Sequence, residues 1–143
     1  MEARELAVWH ARGRQLVGAA FVVAPGVFGR AWIADDARRR PVKVLARAFG
    51  ARDLAIGLGT VIALDRGTPV RGWIEAGVLS DGIDTAASLL AGGSIPAVIR
   101  WPCVALGAGS TAAGAALAPE FDENTEPIPG QTPEAVVTGH PAE

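Results

Sequence analysis

Apolar positions along the chain gather into four long stretches, separated by short breaks that are charged or rich in Gly and Pro. The first runs from 16 to about 34, with Arg30 near its end, and predicts a helix over about 14–34. Trp9 and Trp32 flank it, 23 positions apart. At a helical rise of ~1.5 Å per residue that spacing is roughly 35 Å, close to the distance between the two interfaces of a bilayer. Arg12 and Arg14 precede the stretch as in a secretory signal, but no small-residue cleavage site leading into a conventional mature domain follows it.

A charged segment, Asp35-Asp36-Ala37-Arg38-Arg39-Arg40, leads to Pro41, a residue suited to a helix start because its missing N–H is not needed there. The second helix is predicted over 42–64. Its first turns set Val42, Leu45, Ala46 and Phe49 apart from Lys43 and Arg47, an amphipathic pattern suited to a headgroup region. A polar turn with Gly67, Pro69 and Gly72 predicts an antiparallel partner, a third helix over 73–91 opened by Trp73. That helix is the most polar of the four, with Glu75, Ser80, Asp81, Asp84, Thr85 and Ser88. A fourth helix is predicted over 96–117, and the uncharged run from 101 to 119 is long enough for a spanning segment.

These stretches predict an all-α fold, a four-helix transmembrane bundle over 1–118, multi-pass in a cell membrane with the lipid bilayer as its partner. Trp9, Trp32, Trp73 and Trp101 are its candidate interface anchors, and Arg100 is placed to snorkel beside Trp101. Small residues recur every four positions at Ala105, Gly109 and Ala113, at Gly107, Thr111 and Ala115, and at Ala55, Gly59 and Ala63. Such ridges let helices approach closely and could serve a homo-oligomer, although an Ala- and Gly-rich chain also produces them by chance. Beyond 118 the chain holds five prolines, six acidic residues and no basic one, which predicts a disordered acidic tail over 119–143.

Composition sharpens this picture. There is no Tyr and only 4 Phe, so Ala, Val, Leu, Ile and Gly carry the apolar content, which suits close helix contacts in lipid better than a water-soluble core. Charge runs from +6 over 1–52 (10 basic, 4 acidic) through −2 over 53–117 (3 and 5) to −6 beyond. The basic part alternates with apolar segments instead of stacking aromatics, so nucleic acid is not an expected partner. Loop one, with the end of the first helix and the start of the fourth, carries Arg30, Arg38, Arg39, Arg40, Lys43, Arg47 and Arg100 against Arg4, Arg12, Arg14, Arg66 and Arg71 on the other side, which by the positive-inside rule slightly favours loop one in the cytoplasm and both termini outside. The lone Cys103 excludes an internal disulfide, and with His10 and His140 near opposite ends no metal site, cofactor site or catalytic set is visible. Cys103 reads as a small packing residue, and Gly57-Leu58-Gly59 as packing and not a nucleotide loop.

One constellation has chemical content. Counting outward from the turn, Arg52 lies 13 residues before Asp65, and Thr85 lies 13 after Gly72. Arg52 and Asp53 are thereby level with Asp84, about 18 to 20 Å into the helix pair and near mid-bilayer. Asp81 and Asp84 share a helix face, which predicts an ion pair from Arg52 to one of them. With three carboxylates facing one guanidinium, at least one carboxylate is left over, in a wet cavity or with a raised pKa. Two roles stay open: a polar staple that fixes helix register, or a proton or ligand pathway.

The segment Gly50-Ala51-Arg52-Asp53-Leu54-Ala55-Ile56-Gly57-Leu58, followed by Leu79-Ser80-Asp81-Gly82-Ile83-Asp84, resembles an uncharacterised family of small four-helix membrane proteins from high-GC bacteria, a domain of unknown function with a looser likeness to DoxX-like proteins. The likeness covers about 14–117. It implies a multi-pass helical architecture and supplies no substrate. The function expected is accordingly that of a non-enzymatic membrane protein, with a small proton-linked transporter or ligand-binding protein, and a soluble helical domain, as alternatives.

Overall fold

Pro25 divides what the hydropathy pattern reads as one helix. Its nitrogen has no hydrogen to donate, and its ring crowds the carbonyl four residues earlier, so a helix cannot continue through it undistorted. In the computed structural model, which describes residues 2–121, helix α1 (Ala3–Val23) stops just before it. Two short helices follow, α2 (Pro25–Phe28) and α3 (Arg30–Ile33), then a 3-10 turn (Ala34–Arg38), and this segment is bent by 106° from α1. The expectation of a straight helix over 14–34 is therefore corrected, and Trp9 and Trp32 do not mark its two ends.

The helix also begins earlier than hydropathy suggests. Ala7, Ala11, Arg14, Gly18 and Phe21 are buried at alternating spacings of four and three, so one stripe faces inward along the whole of α1. Arg4, Glu5 and Arg12 occupy outer faces, where a charged side chain does not interrupt a helix.

The remaining long helices are α4 (Arg40–Arg66), α5 (Arg71–Leu90) and α6 (Ala97–Leu117). Pro41 sits in the first turn of α4, and Gly67, in the left-handed region at φ 64°, closes it as a glycine C-cap. Gly92–Ser94 forms a 3-10 turn before Pro96, and Ala118–Phe121 forms another after α6. Phe121 is buried, so the chain is still ordered at 119–121, where a disordered tail was predicted; the rest of that prediction lies outside the described residues. No strand occurs among the described residues.

The four long helices pack as two tight antiparallel pairs, α1 with α4 and α5 with α6, joined more loosely to each other. Missing side chains make the tight contacts. A Cβ at Gly18 would fall 2.6 Å from the Gly50 carbonyl oxygen, and one at Gly57 2.7 Å from the Ala11 carbonyl oxygen. Helix backbones therefore touch at both points. In the other pair Gly107 lies against Thr85, and a Cβ at Gly114 would fall 2.7 Å from a Val78 methyl. Gly59 packs instead against the Trp73 ring.

An apolar cluster of Ala7, Leu64, Val70, Ile74, Leu117 and Phe121 closes one end of the bundle. At the other end Phe21, Trp32 and Phe49 meet with ring centroids 4.9 to 6.4 Å apart. Trp32 thus belongs to an aromatic cluster, whereas Trp9, Trp73 and Trp101 are exposed. By length and hydropathy Ala97–Phe121 can cross a membrane, and Ala3–Val23 qualifies only together with the bent Pro25–Arg38. Helices α4 and α5 carry too many charges to pass such a test alone.

Candidate functional site

The register of α1 against α4 decides where the charges meet. With Gly18 opposite Gly50 and Ala11 opposite Gly57, the antiparallel pair brings Arg14 level with Asp53. Arg14 Nη1 donates to Asp53 Oδ1 at 2.9 Å. Its other terminal nitrogen, Nη2, donates to Asp81 Oδ2 on α5 and, at 3.4 Å, to the Gly77 carbonyl. One guanidinium therefore ties three helices together. It is almost completely buried, at 8% exposure, as are Asp53 at 5% and Asp81 at 9%.

Arg52 forms the second node. Its terminal nitrogens donate to both oxygens of Asp84, at 2.6 and 3.3 Å, and Nη2 reaches Asp53 Oδ1 at 3.4 Å. The Arg52 guanidinium also lies over the Phe49 ring, 4.7 Å from its centroid, while its Nε has no acceptor. Of the pairings the sequence left open, the structure joins Arg52 to Asp84 and gives Asp81 to Arg14.

Helix α6 supplies the third node. Ser110 Oγ donates to Asp81 Oδ2 at 2.6 Å, and His10 Nε2 lies 2.9 Å from the same hydroxyl. Since the hydroxyl's proton is directed at Asp81, the hydrogen between His10 and Ser110 belongs to the imidazole, and His10 donates. A continuous polar network thus runs from His10 through Ser110, Asp81, Arg14, Asp53 and Arg52 to Asp84, with members on all four long helices.

Charge counting with one guanidinium against three carboxylates is corrected by Arg14. The network holds two guanidiniums and three carboxylates, so it retains one negative charge while every carboxylate has a cationic partner. The sequence reading missed Arg14 because it stands just before the first strongly apolar run and looks like a flank. The stripe at 7, 11, 14, 18 and 21 is the signal that could have found it, since a charge at its centre has to face inward. Ser110 and His10 were legible only through contact with that centre.

The looser seam between α1 and α6 leaves a cleft of about 520 Å³. Its floor is Arg14, Asp53, Asp81 and Asp84, with His10 and Ser110 to one side. Trp9, Val17, Trp32 and Leu106 form apolar walls. The Ala105, Gly109 and Ala113 ridge lines this cleft and does not seat a neighbouring helix. A second cleft of about 530 Å³ opens beside α4 and α5 near Asp36, Arg39 and Ser88. The two share Trp32, Phe49 and Asp84.

Away from the network, Arg100 donates to the Gly92 carbonyl and stacks on Trp101 at 5.2 Å, and the buried Cys103 thiol donates to the Ala31 carbonyl at 3.3 Å. Among the described residues no three His, Cys, Asp or Glu side chains gather as a metal site. No family model matches the chain, and no curated protein or solved structure is significantly similar to it.

Proposed function

We propose that this chain is a multi-pass integral membrane protein whose four long helices sit in lipid, and whose buried Arg and Asp network holds them in register. The observation that carries the reading is a charged network buried inside the bundle beside many large hydrophobic side chains left on its outer surface. Among the described residues Arg14, Asp53, Thr60, Ser80, Asp81 and Ser88 are buried, while nineteen large hydrophobic side chains are exposed, Leu90 at 87%, Val98 at 80% and Leu16 at 74% among them. No large side chain among the described residues is completely enclosed. A water-soluble domain of this size buries Leu, Ile and Phe and exposes its charges.

The charges that lower the hydropathy of α4 and α5 do not count against this reading. Hydropathy averages over every face of a helix, whereas lipid meets only the outer one. Asp53, Asp81 and Asp84 turn inward to guanidiniums, and a paired, hydrogen-bonded charge inside a bundle avoids the several kcal/mol that an isolated one costs in hydrocarbon. Gly-to-backbone contacts between α1 and α4 fit the same solvent, because helix association in lipid draws on close packing instead of on expulsion of water.

The test is extraction of membranes from expressing cells with alkaline carbonate. The protein stays in the pellet and enters solution only with detergent if the reading holds; release into the carbonate supernatant overturns it.

A further inference from the structure

The floor of the cleft between α1 and α6 has an unused capacity of one kind. Asp53 accepts hydrogen bonds from Arg14 and Arg52 through Oδ1 only, and Asp81 accepts from Arg14 and Ser110 through Oδ2 only. The second oxygens, Asp53 Oδ2 and Asp81 Oδ1, accept nothing from the described residues, and neither is sealed away inside the protein. Both side chains are otherwise enclosed, at 7% and 12% exposure, and both line this cleft. Asp53 and Asp81, each with one carboxylate oxygen that accepts nothing from the described residues, therefore both line a space of about 520 Å³.

Carboxylate oxygens only accept hydrogen bonds, so what they lack is a donor. The network around them keeps a net charge of −1, so that donor is best carried on a cation. Above the floor the space is lined by Trp9, Trp32, Val17 and Leu106, which offer ring faces and aliphatic surface to an apolar group. The volume falls within the range of small-molecule sites, ~300–1,000 Å³.

We propose that this cleft binds a small lipophilic organic monocation bearing N–H donors, that is, a protonated amine with an apolar substituent. The ammonium sits on the free oxygens of Asp53 and Asp81, and the substituent lies along the apolar wall that Val17 and Leu106 form. Only the route of entry rests on the membrane reading: the seam between α1 and α6 then opens sideways to lipid, where such an amine partitions.

Phenethylamine, protonated at neutral pH, is the probe, titrated calorimetrically into the full chain in zwitterionic nanodiscs against empty nanodiscs. Saturable heat above the empty discs is expected, with 2-phenylethanol, its neutral counterpart, at least tenfold weaker. Gly109→Leu adds bulk to the lining of the cleft at a position where a Cβ meets nothing within 4 Å, and Gly109 is not a member of the ion network. It weakens phenethylamine binding at least tenfold, and Ala113→Leu does the same should the first variant fail to fold. Absence of saturable heat, equal binding of the alcohol, or unchanged binding in a folded cleft-filling variant each overturns the proposal. A protein that dissolves without detergent yet still binds the amine retains this site and refutes only the membrane reading. One that stays in the membrane without binding does the reverse.

Discussion

Arg14 and Asp81 stand 67 positions apart in the chain, and a charge-assisted hydrogen bond between them joins the two halves of the bundle. The tight helix pairs meet at glycine, by backbone contact in α1 with α4 and against the Thr85 and Val78 side chains in α5 with α6. Between the pairs two ionic links, Arg14 to Asp81 and Arg52 to Asp84, add to the apolar cluster at one end of the bundle.

Removing Arg14 leaves two buried carboxylates without their best partner. Arg14→Ala lowers stability by about 3–5 kcal/mol, the usual effect of breaking a buried pair from one side. Arg14→Lys recovers part of the loss, because an ammonium lacks the fork that reaches two carboxylates at once. Reversible unfolding in mixed micelles checks the order wild type, Lys, Ala. Equal stability of all three would show that the node carries no load.

Arg52 is one third exposed, so its loss matters less. Arg52→Ala is expected to destabilise by less than Arg14→Ala in the same unfolding measurement, since Asp53 keeps its bond to Arg14 and only Asp84 is left bare. The reverse order contradicts the roles assigned to the two guanidiniums.

Glycines provide a contrast independent of charge. Gly18→Ala drives a methyl against the α4 backbone and costs about 1–3 kcal/mol through overpacking. Gly13→Ala, on the same helix with nothing within 4 Å of its Cβ, is neutral or stabilising by up to ~1 kcal/mol. Thermal denaturation of the two variants side by side separates them.

Ser110→Ala removes the hydroxyl that links His10 to Asp81. A hydrogen bond to a charged group is worth about 1.5–3 kcal/mol, so a loss in that range is expected, smaller than that of Arg14→Ala. Unfolding of the variant checks it, and an unchanged midpoint excludes Ser110 from the network's stability.

Legibility of the fold followed punctuation. Pro41, the turn around Gly67 and Pro69, and Gly92-Gly93-Ser94-Ile95-Pro96 mark real breaks, so α4, α5 and α6 begin and end within two or three residues of their predicted bounds. Equating the apolar run with the element misplaces the first helix. Residues 3–13 carry Arg4, Glu5, His10 and Arg12 and so break the apolar run although they are helical, and Pro25 ends the helix inside that run. At the site, the depth of Arg52, Asp53, Asp81 and Asp84 followed from counting out of one turn. Arg14 leaves a local trace in the stripe at 7, 11, 14, 18 and 21, whereas its partners, and the places of His10 and Ser110, follow from helix registers that depend on glycine contacts between distant segments.

Lipid around the four helices is the central claim, and the solvent at their outer faces tests it. Spin labels at Leu16, Leu79 and Leu106, each exposed, in a Cys103→Ala background reconstituted in vesicles report it directly. Collisions with oxygen far exceeding those with a water-soluble nickel chelate at all three positions are the predicted result. Strong relaxation by the nickel chelate at all three would place these side chains in water and contradict the account.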